Sequence, residues 1–316
     1  YGSRGHALYR STYFNRGFRV SRIYVPHEYQ GLTLDFLWSR PRANVHMSPG
    51  MGKTPTILTH LVNLSLVDRP FPVLGLGPKR VVNSVWTREI EKWAHLHGIK
   101  VSKIMGTIAQ REAALKAHAD LYLINYENLV WLTTVLNGRC PFKTVIADES
   151  TRIKGARVSM QVSKLGKRFL KAAGAVNAAA LIKNIAPKVD FWYNLTGTPT
   201  PNGLQDLWSP QFPVDWGKAL GNSFDAFNRR WFYPAPNSER EQQKWLPFDH
   251  ALGEITRRIK PTTISIDAYD WFDVERPRVV DIEVELPEKA MAQYRKMHRE
   301  SPVSYTHLRA HETRGN

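Results

Sequence analysis

Short apolar runs that end in small or polar residues recur along the chain. Their lengths are typical of buried strands, and they are Val73 to Gly77, Leu121 to Asn125, Thr144 to Asp148 and Tyr193 to Thr196. Segments with helical spacing lie between them, namely Thr56 to Val67, Ser84 to His97 and Ala109 to Ala119. This alternation predicts an α/β fold, with a mostly parallel sheet and helices on both faces. Ligand sites in such folds lie beyond the carboxyl ends of the strands.

The chain is less regular after Thr198. The Trp- and Pro-rich stretch 205–278 has little clean periodicity, and we interpret it as an irregular elaboration of the same domain. Val279 to Leu286 alternates apolar and polar residues as a strand does. Pro287 to Glu300 has proline at its start and predicts a helix. We therefore expect an N-terminal segment, 1–23, one large domain, 24–278, and a connecting segment, 279–302.

Residues 303–316 do not continue this pattern. The string VSYTHLRAHET, from Val303 to Thr313, resembles a translated sequencing adapter. His307 and His311 would share a helix face at a spacing that suits a metal, but the adapter accounts for both histidines and no third ligand follows. We interpret 303–316 as an artefact and expect the natural sequence to end near Pro302. The first residue, Tyr1, is not Met, so we expect the N-terminus to be a cut as well.

The composition fits a globular protein with a polyanionic partner. The 316 residues are 42% hydrophobic, which is enough for one large or two small domains. With 44 Lys and Arg against 28 Asp and Glu, the net charge is +16. Nucleic acid is the usual partner of such a chain, because neutralised phosphates release counterions. Ribosomal, membrane-surface and merely solvated proteins can be equally basic.

Other broad classes are excluded or disfavoured. The single cysteine, Cys140, excludes an intrachain disulfide and a zinc site built on cysteines, and it indicates a reducing, cytoplasmic setting. The sequence contains no apolar run of the roughly 20 residues that a membrane span needs. We therefore expect no membrane partner.

Positive charge is concentrated between Ser150 and Val189. This segment has no Asp or Glu and has nine basic residues: Arg152, Lys154, Arg157, Lys164, Lys167, Arg168, Lys171, Lys183 and Lys188. One interpretation is a solvated helical face with an Ala-rich loop, Ala172 to Ala180. The other, which we favour, is a surface that contacts nucleic-acid phosphates.

A glycine-rich loop gives the most specific signal. It follows a short candidate strand, Ala43 to His46, and precedes a helix, which is the context of a P-loop. The two glycines allow a tight turn whose N–H groups point at phosphates. Lys53 would contact the β- and γ-phosphates of ATP, and the Thr54 hydroxyl would ligate Mg²⁺. The predicted ATP-binding loop comprises Ser48, Pro49, Gly50, Met51, Gly52, Lys53 and Thr54, and Met47 replaces the Gly or Ala that usually begins this Walker A pattern.

Two further strand ends carry candidate chemistry. Asp148 and Glu149 end an apolar strand; Asp148 would hold Mg²⁺ through water, and Glu149 would orient and deprotonate the attacking water. We therefore predict Lys53, Asp148 and Glu149 as the catalytic residues. The alternative, a strand followed by an acidic turn, is less plausible beside a P-loop at the same sheet edge. The third strand end carries Thr196, Gly197 and Thr198. The two threonine hydroxyls can sense the γ-phosphate and transmit its presence to a neighbouring surface.

Five motifs in order carry a resemblance to a known family. They are SPGMGKT, then Pro78-Lys79-Arg80 with Trp86 and Trp93, then INYENL at 124–129, then DESTRIK at 148–154, and LTGTPTPNGLQDLW at 195–208. Together they resemble the first RecA-like domain of Swi/Snf-like helicases of superfamily two, and within it the DEAD/DEAH-type helicases of bacteriophages. The resemblance spans Tyr24 to Pro302. It implies a RecA-like fold, ATP hydrolysis with Mg²⁺, and tracking along DNA.

The resemblance also implies roles for individual residues. Gln30 lies where such proteins read adenine, although a surface glutamine is the ordinary alternative. Residues in the family's DNA-contacting positions would grip phosphates without reading sequence; they are Lys79, Arg80, Asn125, Tyr126, Arg152 and Lys154. Trp86 and Trp93 are better explained as core residues of a helix than as base-stacking ones.

The sequence departs from the family in two respects. Ser150 and Thr151 replace the residues that commonly follow the acidic pair, which leaves the coupling step undefined. The arginine motif of a second RecA-like domain does not follow Thr198, so we expect that domain to be missing here. Two alternatives remain. A phage terminase motor would continue into a nuclease with clustered acids, and a nucleotide-gated DNA-binding module would bind ATP without motor activity.

Overall fold

The computed structural model describes residues 21–163, 166, 168–235, 245–273 and 287–300. A seven-stranded sheet with the order β11-β1-β8-β5-β2-β4-β3 forms its centre, and every neighbouring pair is parallel. The strands of this sheet are β1 (Arg42–Met47), β2 (Val73–Gly77), β3 (Val101–Lys103), β4 (Leu121–Asn125), β5 (Thr144–Asp148), β8 (Phe191–Thr196) and β11 (Thr263–Ile266). The predicted parallel α/β fold is confirmed.

Helices cover both faces of the sheet. They are α1 (Glu28–Trp38), α2 (Lys53–Leu64), α3 (Trp86–Lys92), α4 (Ile108–Lys116), α5 (Leu129–Leu136), α6 (Val176–Asn184), α7 (Trp208–Asp215), α8 (Phe224–Trp231), α9 (Ala251–Ile259) and α10 (Glu288–Glu300). Helices α1, α2 and α3 pack on one face, and α5, α6 and α7 on the other. No described helix is both long enough and apolar enough to span a membrane.

Alternation along the strands decides which face each side chain reaches. In β5, Val145 and Ala147 pack in the core beneath α5, α6 and α7, whereas Ile146 packs in the core beneath α1, α2 and α3. Because residues two apart share a face of a strand, Asp148 projects to the same side as Ile146. The glycine-rich loop and α2 lie on that side.

Two small antiparallel pairs flank the main sheet. Strands β6 (Ala156–Val162) and β7 (Arg168–Gly174) form a hairpin, and β9 (Phe232–Pro234) pairs with β10 (Trp245–Pro247). The alternative interpretation of Ala172 to Ala180 as a loop is therefore wrong, because this stretch comprises the end of β7 and the first half of α6.

The stretch 205–278 is more regular than predicted. It contains α7, α8 and α9, and it also supplies β11, the edge strand of the central sheet, which pairs with β1. The interpretation of this stretch as irregular is wrong, since part of the domain's own sheet comes from it. The predicted helix after Pro287 is confirmed as α10, whereas the predicted strand Val279 to Leu286 and the segment 303–316 lie outside the described residues.

Candidate nucleotide-binding site

The glycine-rich loop joins the end of β1 to the start of α2. Its two glycines have left-handed backbones, with φ 83° at Gly50 and 82° at Gly52, which residues with a Cβ adopt at a cost. A Cβ at Gly52 would also lie 2.5 Å from the Gln30 amide nitrogen. This position therefore needs glycine both for its backbone and for space. Helix α2 begins at Lys53, so its free N–H groups face the loop.

Lys53 lies within reach of both the loop and the acidic pair. Its ammonium donates to the carbonyl oxygens of Met47, at 2.9 Å, and Ser48, at 3.4 Å. Burial lowers the pKa of Lys53, while the nearby charges of Glu149 and Asp148 oppose that effect. A partly buried cation between a phosphate-binding loop and two carboxylates is suited to bind an anion there.

Asp148 and Glu149 have different surroundings although they are adjacent. Asp148 is 6% exposed. Burial, followed by the charge of Glu149, raises its pKa to about 6, and Lys53 and the Glu149 amide oppose the rise. Glu149 is half-buried in a left-handed conformation, with φ 55° and ψ 57°. Such a backbone is unusual for a residue with a side chain, and it concentrates at functional sites.

The third predicted motif touches the other two. The Thr196 hydroxyl donates to the Glu149 carboxylate at 3.4 Å, and the Thr198 amide donates to the Thr196 hydroxyl at 3.1 Å. Gly197 lies against the loop, because a Cβ there would be 2.9 Å from Cδ of Pro49 and 3.3 Å from the Met47 carbonyl. The structure thus brings the phosphate loop, the acidic pair and the threonine motif together at one edge of the sheet.

Gln30 braces the loop from the side of α1. Its amide nitrogen donates to the Met51 carbonyl at 3.0 Å, and its amide oxygen accepts from the Tyr24 hydroxyl and the His27 amide, each at 3.0 Å. With 5% exposure it is not an ordinary surface residue. Its amide oxygen is committed to protein donors, which differs from the expectation that both ends of the amide face a base.

A contact that the sequence analysis missed fixes the other side of the loop. The Ser48 amide donates to the Ile266 carbonyl at 3.2 Å, and the Ser48 hydroxyl accepts from the Ala268 amide at 3.2 Å and lies 3.4 Å from the Asp267 carboxylate. The end of β11 therefore supports the loop. The alternating residues of Thr263–Ile266 were the only available signal for this strand, and four residues are too few to stand out.

The predicted DNA-contacting residues differ in accessibility. Lys79 and Arg80 are exposed just beyond β2. Asn125 is buried and donates to Glu127 at 2.6 Å. Tyr126 is buried, and its hydroxyl donates to the Asp148 carbonyl at 2.7 Å. The structure therefore places Tyr126 in the interior behind the acidic pair and not on the surface.

The two predicted basic contacts after the acidic pair are engaged with acids. Lys154 lies 3.4 Å from the Asp206 carboxylate, with 32% of its side chain exposed. Arg152 lies 3.9 Å from Glu127, and both side chains are more than half exposed, so that pair is weak. Arg152 is consequently more available to an external phosphate than Lys154 is.

The oxygen donors at this edge suit magnesium. The described residues contain no group of three or more His, Cys, Asp or Glu side chains that could hold a metal alone. Mg²⁺ commonly takes only one or two protein oxygens and completes its shell with water and phosphate oxygens. The Thr54 hydroxyl and the Asp148 carboxylate are oxygen donors of this kind, and both side chains are at least nine-tenths buried.

Comparisons with known proteins agree with this geometry. Residues 29–171 match the family model of the SNF2-related domain. Protein p41 of Acyrthosiphon pisum secondary endosymbiont phage 1 is 42% identical over 281 residues, which cover 88% of this chain and 58% of p41. The DNA excision repair protein ERCC-6-like of Bos taurus is 26% identical over 289 residues, which cover 84% of this chain and 20% of that protein. The chain thus spans little more than half of p41.

A solved structure shows the same fold. The Sulfolobus solfataricus SWI2/SNF2 ATPase core in complex with dsDNA aligns with a TM-score of 0.57 at 19% identity, covering 80% of this chain and 47% of that one. The family-model match over residues 29–171 agrees with the resemblance that the five motifs carry. The structural likeness confirms the predicted RecA-like fold, which this chain shares with the SWI2/SNF2 ATPase core.

Proposed function

We propose that this chain is the ATP-binding domain of a DNA-dependent ATPase that moves on DNA. The observation that carries the proposal is the convergence of three sequence-distant strand ends. Lys53 follows β1 and its loop, Asp148 ends β5 and is followed by Glu149, and Thr196 ends β8 in contact with Glu149. ATP hydrolysis requires a phosphate cradle, a metal-holding acid and a water-orienting group at such an edge.

Each residue has a separate task in this proposal. Lys53 exchanges its contacts with the Met47 and Ser48 carbonyls for contacts with the β- and γ-phosphates. Thr54 and Asp148 hold Mg²⁺, which neutralises charge on the phosphates when bound. Glu149 orients the attacking water and accepts its proton. Thr196, which hydrogen-bonds to Glu149, is placed to transmit the presence of the γ-phosphate to Thr198.

Gln30 has an indirect part in this proposal. Its contact with the Met51 carbonyl and its fit against Gly52 fix the loop that receives the phosphates. A base that approaches Gln30 must compete with Tyr24 and the His27 amide for the amide oxygen. We therefore propose that Gln30 links occupancy of the base site to the shape of the phosphate loop.

DNA is the proposed track. Lys79 and Arg80 are exposed cations beyond β2, at the same edge as the ATP site. Arg152, on the turn that follows Glu149, adds a third cation there. Contacts of this kind reach phosphates and not base edges, so they allow movement along DNA without regard to sequence. The relatives named for DNA repair and for a dsDNA complex support this choice of polymer.

Hydrolysis by this chain alone should be slow. Under the family resemblance, a second RecA-like domain supplies an arginine that stabilises the transition state, which contributes on the order of 10³ to 10⁵ in rate. We propose that this chain binds ATP and DNA, hydrolyses ATP at a trace rate, and shows little stimulation by DNA. Brisk turnover that DNA accelerates would contradict this division of labour. An intact protein that binds ATP without turnover would instead be a nucleotide-gated DNA-binding module.

Calorimetric titration of the chain with Mg-ATP tests the proposed site. Wild type and Glu149→Gln should bind with similar affinity, because Glu149 acts on water and not on the nucleotide. Asp148→Ala should lose the part of the affinity that depends on Mg²⁺. If the wild-type chain binds no Mg-ATP, or if Asp148→Ala binds it as wild type does, the proposed function is wrong.

A further inference from the structure

Trp86 is the first residue of α3 and lies in the interior beside the acidic strand end. It is 0% exposed and packs in the same core as Ile146 of β5. Gly75 of β2, which pairs with Ile146, lies beside the indole, because a Cβ there would be in ordinary van der Waals contact with Cη2 of Trp86, at 3.9 Å. The indole therefore lies over β2 next to β5.

Asp148 projects into the same layer. It is two residues after Ile146, so its side chain leaves β5 on the face that α2 and α3 cover. Lys53 at the start of α2 and Trp86 at the start of α3 belong to helices that pack on this face as well. Lys53 brings a charge, whereas Trp86 can bring only a neutral N–H donor.

The indole N–H has no ordinary partner. Among the described residues, no acceptor meets both the distance and the angle of a hydrogen bond to Trp86 Nε1, although the atom is fully buried. A buried donor without a partner costs stability. The Trp86 indole is nevertheless close enough to act on the Asp148 carboxylate, whose pKa is raised mainly by burial and is lowered in part by this indole.

We propose that Trp86 is a positioning residue for the metal-binding carboxylate, and that its indole N–H completes a hydrogen bond to Asp148 when that carboxylate turns to hold Mg²⁺. The inference rests on the proposed function, because it needs Asp148 to hold the metal. Groups that hydrogen-bond to a metal-ligating carboxylate fix its orientation, and their loss commonly costs 10- to 100-fold in metal affinity. Trp86 serves this purpose without adding charge, so it does not compete with Mg²⁺ for the carboxylate as Lys53 does.

The test measures how much Mg²⁺ the chain needs to bind ATP. Trp86→Phe keeps an aromatic ring and removes the N–H, so the Mg²⁺ concentration for half-maximal ATP binding should rise about tenfold. ATP affinity measured in EDTA should not change. Trp192→Phe is the matched control: Trp192 is also 0% exposed, but its N–H donates to Asn194 at 2.9 Å, away from Asp148. This control should leave the Mg²⁺ requirement as in wild type.

A second variant separates the N–H from the volume of the ring. Incorporation of 3-benzothienylalanine in place of Trp86 keeps the fused rings and replaces the N–H with sulfur. It should therefore raise the Mg²⁺ requirement about tenfold, as expected for Trp86→Phe. This variant keeps the inference testable even if Trp86→Phe unfolds the chain. An unchanged Mg²⁺ requirement in this variant, or an equal rise in Trp192→Phe, would overturn the inference. If the wild-type chain itself fails to bind Mg-ATP, the proposed function has failed instead.

Discussion

The carboxyl edge of the main sheet and the basic segment from Ser150 to Val189 both attract a functional interpretation, but they are built differently. At the sheet edge, groups that are far apart in sequence contact one another, as Thr196 contacts Glu149 and Gly197 contacts the Pro49 turn. In the basic segment, charged side chains find individual partners. Lys154 pairs with Asp206, and the Arg157 guanidinium stacks on Phe224 at 3.5 Å.

The difference shows what separates a site from a charged surface. The edge imposes geometry on each residue, including a left-handed Glu149 and a buried Asp148 whose pKa is raised to about 6. The described cations of the basic segment make isolated pair contacts, and under the proposed function they would act mainly through their charge. Substitutions at the edge should therefore have large and specific effects, and those in the segment small and additive ones.

The largest effect on stability should come from Asp148→Asn. The folded pKa of Asp148, about 6, lies above the ordinary value of 3.8, so folding favours the protonated carboxyl. The stability that this group contributes is present below about pH 4 and is lost as pH rises through 6. One pKa unit corresponds to about 1.4 kcal/mol, so the variant should exceed wild type by about 3 kcal/mol at pH 8.

Denaturant unfolding without nucleotide at pH 4 and pH 8 measures this difference. The gain of Asp148→Asn over wild type should be close to zero at pH 4 and reach its full size at pH 8. An equal gain at both pH values would show that ionisation of the Asp148 carboxyl does not destabilise the folded chain.

Gly197→Ala should give the next largest effect. The added Cβ would lie 2.9 Å from Pro49, so the phosphate loop must shift and Mg-ATP affinity should fall about tenfold, as expected for an overpacking cost of 1–3 kcal/mol. Gly253→Ala is the control, because no atom lies within 4 Å of a Cβ at that position. Equal affinities of Gly197→Ala and wild type in calorimetry would mean that the threonine motif does not support the loop.

The smallest effect should be seen in DNA binding. Affinity should not depend on sequence and should fall with salt, at a slope of about −0.7 to −0.9 per phosphate neutralised. Lys79→Ala with Arg80→Ala should reduce that slope by about 1 to 2, because each removes one phosphate contact. Lys154→Ala should change it less, since Lys154 is paired with Asp206. A salt-independent affinity measured by anisotropy would contradict the assignment.

The strands at the sheet edge could be predicted from the sequence because each forms a continuous apolar run of its own. The run Thr144–Asp148 is continuous and apolar, and its predicted bounds are the observed ones. Strand β11 escaped prediction, because only its long-range pairing with β1 makes it a strand. The segment predicted as one helix from Ser84 to His97 comprises the end of the π-helical turn Val81–Val85, then α3, and after the extended Trp93 a separate 3-10 turn, Ala94–Leu96.

The orientation of individual side chains was the second feature that the sequence did not predict. Tyr126 occupies a motif position that the family resemblance assigns to DNA, but its short helical turn directs the ring inward, where the hydroxyl meets the Asp148 carbonyl. Gln30, which the family resemblance assigns to the base, contacts the Met51 carbonyl of the loop, the Tyr24 hydroxyl and the His27 amide. Motifs locate a residue on an edge, and packing decides which way it faces.

Binding of Mg-ATP to Lys53→Ala tests the central claim most directly. Lys53 is the cation between the phosphate loop and the acidic pair, whereas Lys143 lies at the opposite end of β5, paired with Asp190 at 3.3 Å, and serves as the control. Calorimetry should show that Lys143→Ala binds Mg-ATP as wild type does and that Lys53→Ala, with an unchanged circular dichroism spectrum, does not bind it. Wild-type affinity in a folded Lys53→Ala protein would contradict the account.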